Sequence, residues 1–111
     1  VIKKYPLVEG VDREDSRARD LLMLDTDLRD VVSEGVFQLK RAFGGAEVHI
    51  DYLIDHEDEE PDPCVIVTVF PDMPFDDAHE IMDEVEDRWV LDNMNRAGGR
   101  FSFEVHPLQH K

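Results

Sequence analysis

The arrangement with most chemical promise in this chain is histidine set among carboxylates. In "FDDAHEIMDEVEDRW", residues 75–89, His79 has Asp76 three positions before it, Asp83 four after and Glu86 seven after, a spacing that gathers all four on one flank of a helix. Such carboxylates favour an imidazolium, or orient a metal-bound imidazole through its second nitrogen. Two further sets alternate along the chain: Glu47, His49 and Asp51 in "EVHID", and Glu104 with His106 in "FEVH". On strands, each set projects to one side. Imidazole nitrogen beside carboxylate oxygen is what zinc or another divalent cation takes, so the candidate metal ligands are His79, Glu104, His106, His49 and Asp51. The same residues also follow from structure alone, because the wet side of a half-buried strand alternates polar residues and a helix histidine among acids makes surface pairs.

Other chemistry finds little support. The sequence has no Gly-rich phosphate loop, no G-x-S-x-G elbow and no H-E-x-x-H pair, and "DTDLRD" lacks the glycine and spacing of a calcium loop. No catalytic residue is assigned. Cys64 opens an apolar run with no basic neighbour to lower its pKa, and reads as a core residue. The acidic run at residues 55–62, with His56 inside it, reads as a solvated hairpin loop, since exposed carboxylates without fixed geometry make a poor site.

Composition narrows the partners. Against 12 Lys and Arg stand 27 Asp and Glu, a formal net charge of -15, which repels a phosphate backbone and excludes nucleic acid as a direct partner. Basic proteins and cations fit that charge, although it also serves solubility. One cysteine permits no internal disulfide and no cysteine-rich zinc motif, which points to a reducing, cytoplasmic setting. No stretch approaches the ~20 apolar residues of a membrane span.

The elements that must position the candidate residues are legible from periodicity. Residues 1–11 are irregular. Over residues 12–43, Leu21, Leu24, Leu28, Val31 or Val32, Val36, Leu39 and Phe43 recur at helical steps, with Asp12 or Asp15 as cap, a break or kink at "DTD", and "AFGG" as the stop. From Ala46 the period becomes two: Val48, Ile50 and Tyr52 face one way, Glu47, His49 and Asp51 the other. "CVIVTVF" is apolar on both sides and rich in β-branched residues, so it is central. A helix then opens near "DDAHE", with Asp77 and Glu80 at capping-box spacing and Ala78, Ile81, Met82, Val85 and Trp89 on one face, and runs to about Met94. "RFSFEVH" closes the chain as a strand with Phe101, Phe103 and Val105 inward.

These elements predict a single α+β domain over residues 1–111: helix-strand-strand-helix-strand, a three-stranded mixed sheet joined by a right-handed crossover, with its helices on one face, a ferredoxin-like fragment. The other face is left uncovered. Alternate side chains of the central strand, either Cys64, Ile66, Thr68 and Phe70 or Val65, Val67 and Val69, must point to it, and a homodimer is the expected cover.

The segment "VIVTVFPDMPFDDAHEIMDEVEDRW" resembles the strand, turn and helix of the cytoplasmic C-terminal domain of cation diffusion facilitator transporters, where an Ala-His-x-Ile pattern follows a Pro-containing turn; here it is Ala78, His79, Glu80 and Ile81. "AEVHIDY" resembles that family's first strand and "FSFEVHP" its closing strand, so that the resemblance covers residues 48–107. It implies a dimerising domain that binds zinc-like ions through histidines and acids of these elements. The leading expectation is a small acidic, non-enzymatic, dimeric interaction or regulatory module, with a protein partner. The alternative is a divalent-metal-binding regulatory domain. An enzyme built on a His and carboxylate pair is a third reading, without an oriented nucleophile or cofactor loop beside it.

Overall fold

Apolar residues at three- and four-residue steps produce helix from Ser16 onward, but Asp25 divides the run in two. The computed structural model describes residues 7–54 and 62–108; residues 1–6 of the irregular opening, and 55–61 of the acidic run with His56, lie outside them. A two-residue strand, β1 (Arg13–Glu14), precedes α1 (Ser16–Leu24) and α2 (Thr26–Ala42). Asp15 caps α1, its carboxylate accepting from the Arg17 N–H at 2.8 Å. Asp25 has extended backbone, closes α1 by donating its N–H to the Leu21 carbonyl at 3.0 Å, and opens α2 by accepting from the Leu28 N–H at 3.0 Å. One residue thus ends one helix and starts the next, in the way a carboxylate offers an orphan amide its partner. After α2, Gly44 and Gly45 adopt left-handed φ of 63° and 85°, and the Gly45 N–H returns to the Lys40 carbonyl at 2.8 Å, a Schellman-type stop.

Strands β2 (Glu47–Leu53) and β3 (Cys64–Phe70) form an antiparallel pair, α3 (Phe75–Val85) follows, and β4 (Phe101–Val105) returns beside β3. The sheet order is β1-β2-β3-β4, with parallel pairs at each edge. The expected three strands become four because Asp12 and Asp15 donate their backbone N–H groups to the Val48 and Ile50 carbonyls of β2, each at 2.9 Å. The Asp12 carboxylate adds a bond from the Val48 N–H at 2.9 Å and one from Lys40 Nζ at 2.8 Å, tying β1 to both β2 and α2. A ferredoxin-like sheet splits its strand-helix-strand units with an intervening strand; here the parallel partners are direct neighbours, so that expectation is corrected.

Register decides which face is covered. Val48, Ile50 and Tyr52 of β2 stand opposite Val69, Val67 and Val65 of β3, which in turn stand beside Val105, Phe103 and Phe101 of β4. With Ala18 and Leu22 of α1, Leu28 to Leu39 of α2, and Ala78, Met82 and Val85 of α3, this face makes one apolar core. All three helices therefore lie on one side of the sheet. Because both crossovers step the same way across the sheet while their strands run in opposite directions, they have opposite hands.

Two local features set the helical layer. Gly35 sits in the buried stripe of α2, where an added Cβ would lie 2.2 Å from Cζ of Phe103; its missing side chain lets that ring pass beneath the helix. Trp89 meets Phe103 edge-on at 5.6 Å between centroids, from a π-helical turn (Glu86–Val90) that continues α3 into a final turn, α4 (Leu91–Asn93). The start of α3 also differs from expectation. Pro74 is its cap residue and makes no side-chain bond, so Asp77 and Glu80 form no capping box. Asp76 and Asp77 instead fall in the first turn, where negative charge suits the helix N-terminus.

Before β4, Arg100 donates Nε to the Ala97 carbonyl at 3.0 Å and pairs with Asp25, anchoring the last strand to the joint between α1 and α2. The Leu28 N–H, then the Arg100 guanidinium, hold the Asp25 carboxyl below its ordinary range. Lys40 foremost, aided by the Val48 N–H and opposed by burial, does the same for Asp12.

Two expectations follow. Gly35→Ala should destabilise the protein by about 1–3 kcal/mol through overpacking, outweighing the roughly 1 kcal/mol that alanine gains in helix propensity, and Phe103→Leu in the same chain should recover part of the loss in urea denaturation. For Asp25, a folded pKa below the unfolded value of about 3.9 means its contribution is complete above that pH and is lost as pH falls through the lowered value. Asp25→Asn, which can still cap α2, should lower the urea midpoint at neutral pH and converge with the unmodified protein in acid, once pH has fallen below the lowered pKa; parallel curves would refute the assignment.

Candidate functional site

The face opposite the core is built by the other half of each strand. β2 sends Glu47, His49, Asp51 and Leu53 to it, β3 sends Cys64, Ile66, Thr68 and Phe70, and β4 sends Ser102 and Glu104, with His106 just beyond its end. Arg13 of β1 stands opposite His49 on the same side. The middle strand is neutral and its neighbours carry the carboxylates. Thr68 is 6% exposed, the only polar residue counted among the buried ones in the described chain, because its flanking strands place His49 and Glu104 on either side.

Phe70 organises the end of this face. Its ring lies 4.5 Å from the His49 ring and 6.1 Å from that of His106. His49 Nε2 lies 2.9 Å from Glu47 Oε2, and His106 Nε2 lies 3.5 Å from Glu104 Oε2. The arrangement is two Glu-His pairs separated by a phenyl ring. Beside Phe70 an open cleft of about 520 Å³ runs between the end of α2 and the turn after β3, lined by Phe43, Glu47, His49, Phe70, Met73 and Leu108.

The candidates read from sequence are thus partly assembled. His49, Asp51, Glu104 and His106 share the open face as expected, but Asp51 stands opposite Ile66, and the two histidines are held apart by Phe70. His79 is on α3, in the layer across the sheet, where its ring lies against that of Phe75, 4.1 Å between centroids and tilted by 41°. Among the described residues no group of three or more His, Cys, Asp or Glu is placed to hold a metal ion. Cys64 is not core: it is half-buried on the open face, its thiol 3.5 Å from the Asp62 carbonyl.

Sequence reasoning passed over Phe70 as the organising side chain and Arg13 as a member of the face. Alternation in "CVIVTVF" offered two equivalent sets for the open side, and only the register with β2 selects Cys64, Ile66, Thr68 and Phe70. Charge is unevenly disposed as well. Arg17, Arg19, Lys40, Arg88, Arg96 and Arg100 each pair with an acid of their own chain, so the excess of carboxylates is left to define the outer field.

No family model matches the chain, and neither a curated protein nor a solved structure matches it significantly. No helix among the described residues is long and apolar enough to cross a membrane.

The separation of the histidines is directly testable. In calorimetric zinc titrations, His79→Ala should superimpose on the unmodified protein in enthalpy and midpoint, because that ring stands across the sheet from His49 and His106. Loss of a stoichiometric binding phase in this variant would overturn the separation.

Proposed function

We propose that the protein is a non-enzymatic interaction module, regulatory by occupancy, that docks a basic protein partner on the open face of its sheet. The observation that carries this reading is the one-sided cover: α1, α2 and α3 bury one face, while the other presents the half-buried Ile66 and Phe70 between rows of carboxylates. A neutral, partly apolar strip with a charged border is the layout of a docking surface, in which the centre supplies desolvation and the rim supplies orientation. The border is acidic through Glu47, Asp51 and Glu104, and the whole chain carries a net charge of -15, so a cationic partner is drawn in and an anionic one turned away. The cleft beside Phe70 accepts an apolar anchor from such a partner.

A second copy meets this face poorly, since two acidic borders would oppose each other. The metal reading rests on the Glu47-His49 and Glu104-His106 pairs, each with two donors of the kinds zinc takes. A further ligand would have to come from a partner or from outside the described residues.

The test uses two synthetic strand-forming peptides with identical apolar residues, one alternating them with Lys and Arg, the other with Glu, followed by fluorescence anisotropy. The basic peptide should bind, weaken with added salt, and lose about tenfold in affinity when Ile66→Ser and Phe70→Ala are combined, the loss expected when even part of two apolar contacts is removed. Leu91→Ser, at an exposed position on α4, should leave binding within about twofold. Equal affinity for both variants would sink the docking surface, whatever the peptide's charge preference.

A further inference from the structure

The two edges of the sheet are not alike. The β1 edge is two residues long, Arg13 and Glu14, both charged, a short edge of the kind that discourages pairing. The β4 edge is five residues long, and its sequence "FSFEV" contains no proline, lysine or bulge. No strand among the described residues pairs with its outer side.

The hydrogen bonds to β3 say which backbone groups point outward. The Val65 N–H donates to the Arg100 carbonyl at 3.1 Å and the His106 N–H donates to the Val69 carbonyl at 2.9 Å. Backbone groups alternate along a strand, so Ser102 and Glu104 turn theirs toward β3 as well, in keeping with the parallel register. Phe101, Phe103 and Val105 therefore present their N–H and C=O groups to the open edge. Their side chains, on the helical side, are only half-buried, as side chains at an uncovered edge would be.

We infer that this edge pairs antiparallel with β4 of a second copy across a two-fold axis normal to the sheet, joining the two four-stranded sheets into one. The register follows from chemistry. Centred on Phe103, the pairing sets Phe101 against the partner's Val105 and lets every outward N–H of both strands reach a carbonyl. Aromatic against β-branched is a favourable cross-strand pair, and Ser102 falls opposite the partner's Glu104, so no like charges meet. Centred on Glu104, the same edge would set carboxylate against carboxylate. Centred on Val105, it would set Phe103 against the partner's Pro107, which has no N–H to give.

This association goes beyond the docking of a basic partner and does not depend on it. The axis keeps both helical layers on one side, so the two open faces become one continuous surface, and the two events respond oppositely to salt. Added salt screens the repulsion between two copies of net charge -15 and strengthens pairing, whereas it weakens a basic ligand.

The experiment is sedimentation equilibrium of the full chain across protein and salt concentrations, combined with residue-resolved amide hydrogen exchange. The expected result is a dimer that tightens with salt and protects the Phe101, Phe103 and Val105 amides more as protein concentration rises. Val105→Pro, which deletes an outward N–H and leaves the β3 ladder intact, should be monomeric with an unchanged helical circular dichroism signal; Val105→Ala, which keeps that N–H, should remain dimeric. A monomer under all conditions, a dimer whose three edge amides exchange freely, or a folded Val105→Pro dimer would each overturn the proposal. Should Val105→Pro fail to fold, the concentration dependence of amide protection in the unmodified protein decides the question.

Discussion

A strand sends alternate side chains to opposite faces, and three amphipathic helices on one side can bury only one of them. That constraint organises the whole molecule. It gives β2 and β4 their alternating apolar and polar residues, and it lets β3 be apolar on both faces but for Thr68, since the half of β3 that escapes the helices is still screened by its two neighbours. It also makes Gly35 decisive. The Phe103 ring at the edge strand reaches the core only because α2 has no side chain there, and Trp89 then closes over it.

Acidic residues play two roles that composition cannot separate. Asp12, Asp15 and Asp25 are structural, each accepting a backbone N–H within a few residues of a helix or strand end, and each held ionised by that bond and a nearby cation. Asp25 links three parts of the chain at once: the end of α1, the start of α2 and the entry to β4 through Arg100. Glu47, Asp51 and Glu104 have no such task. They stand along the open face, where their charge is available to whatever approaches.

Histidine shows how far one-dimensional spacing carries. His49 and His106 were placed on a common face by strand periodicity, and the sheet puts them there, on either side of Phe70. His79 shares their chemistry and, in the resemblance to a metal-binding domain, their role. In the fold it occupies the opposite layer, with its ring tilted against that of Phe75. Helical periodicity orients a side chain about its own axis and carries no information on which side of a sheet that axis will lie.

The local pattern of residues was enough to determine the existence and order of α2, β2, β3, α3 and β4, the apolar faces of all of these but β3, and the alternation that set Glu47, His49 and Asp51 apart from Val48, Ile50 and Tyr52, because periods of 3.6 and 2 follow from backbone geometry. Tertiary structure alone decided the fourth strand, the neighbouring of parallel strands, the face on which Cys64 lies, and the separation of His79 from the other histidines. β1 is two residues long and has no period to read; it is a strand only because Asp12 and Asp15 reach Val48 and Ile50 from more than thirty residues away. Register between strands is likewise a relation between distant segments, fixed when one buried face must be matched to another, and no single segment contains it.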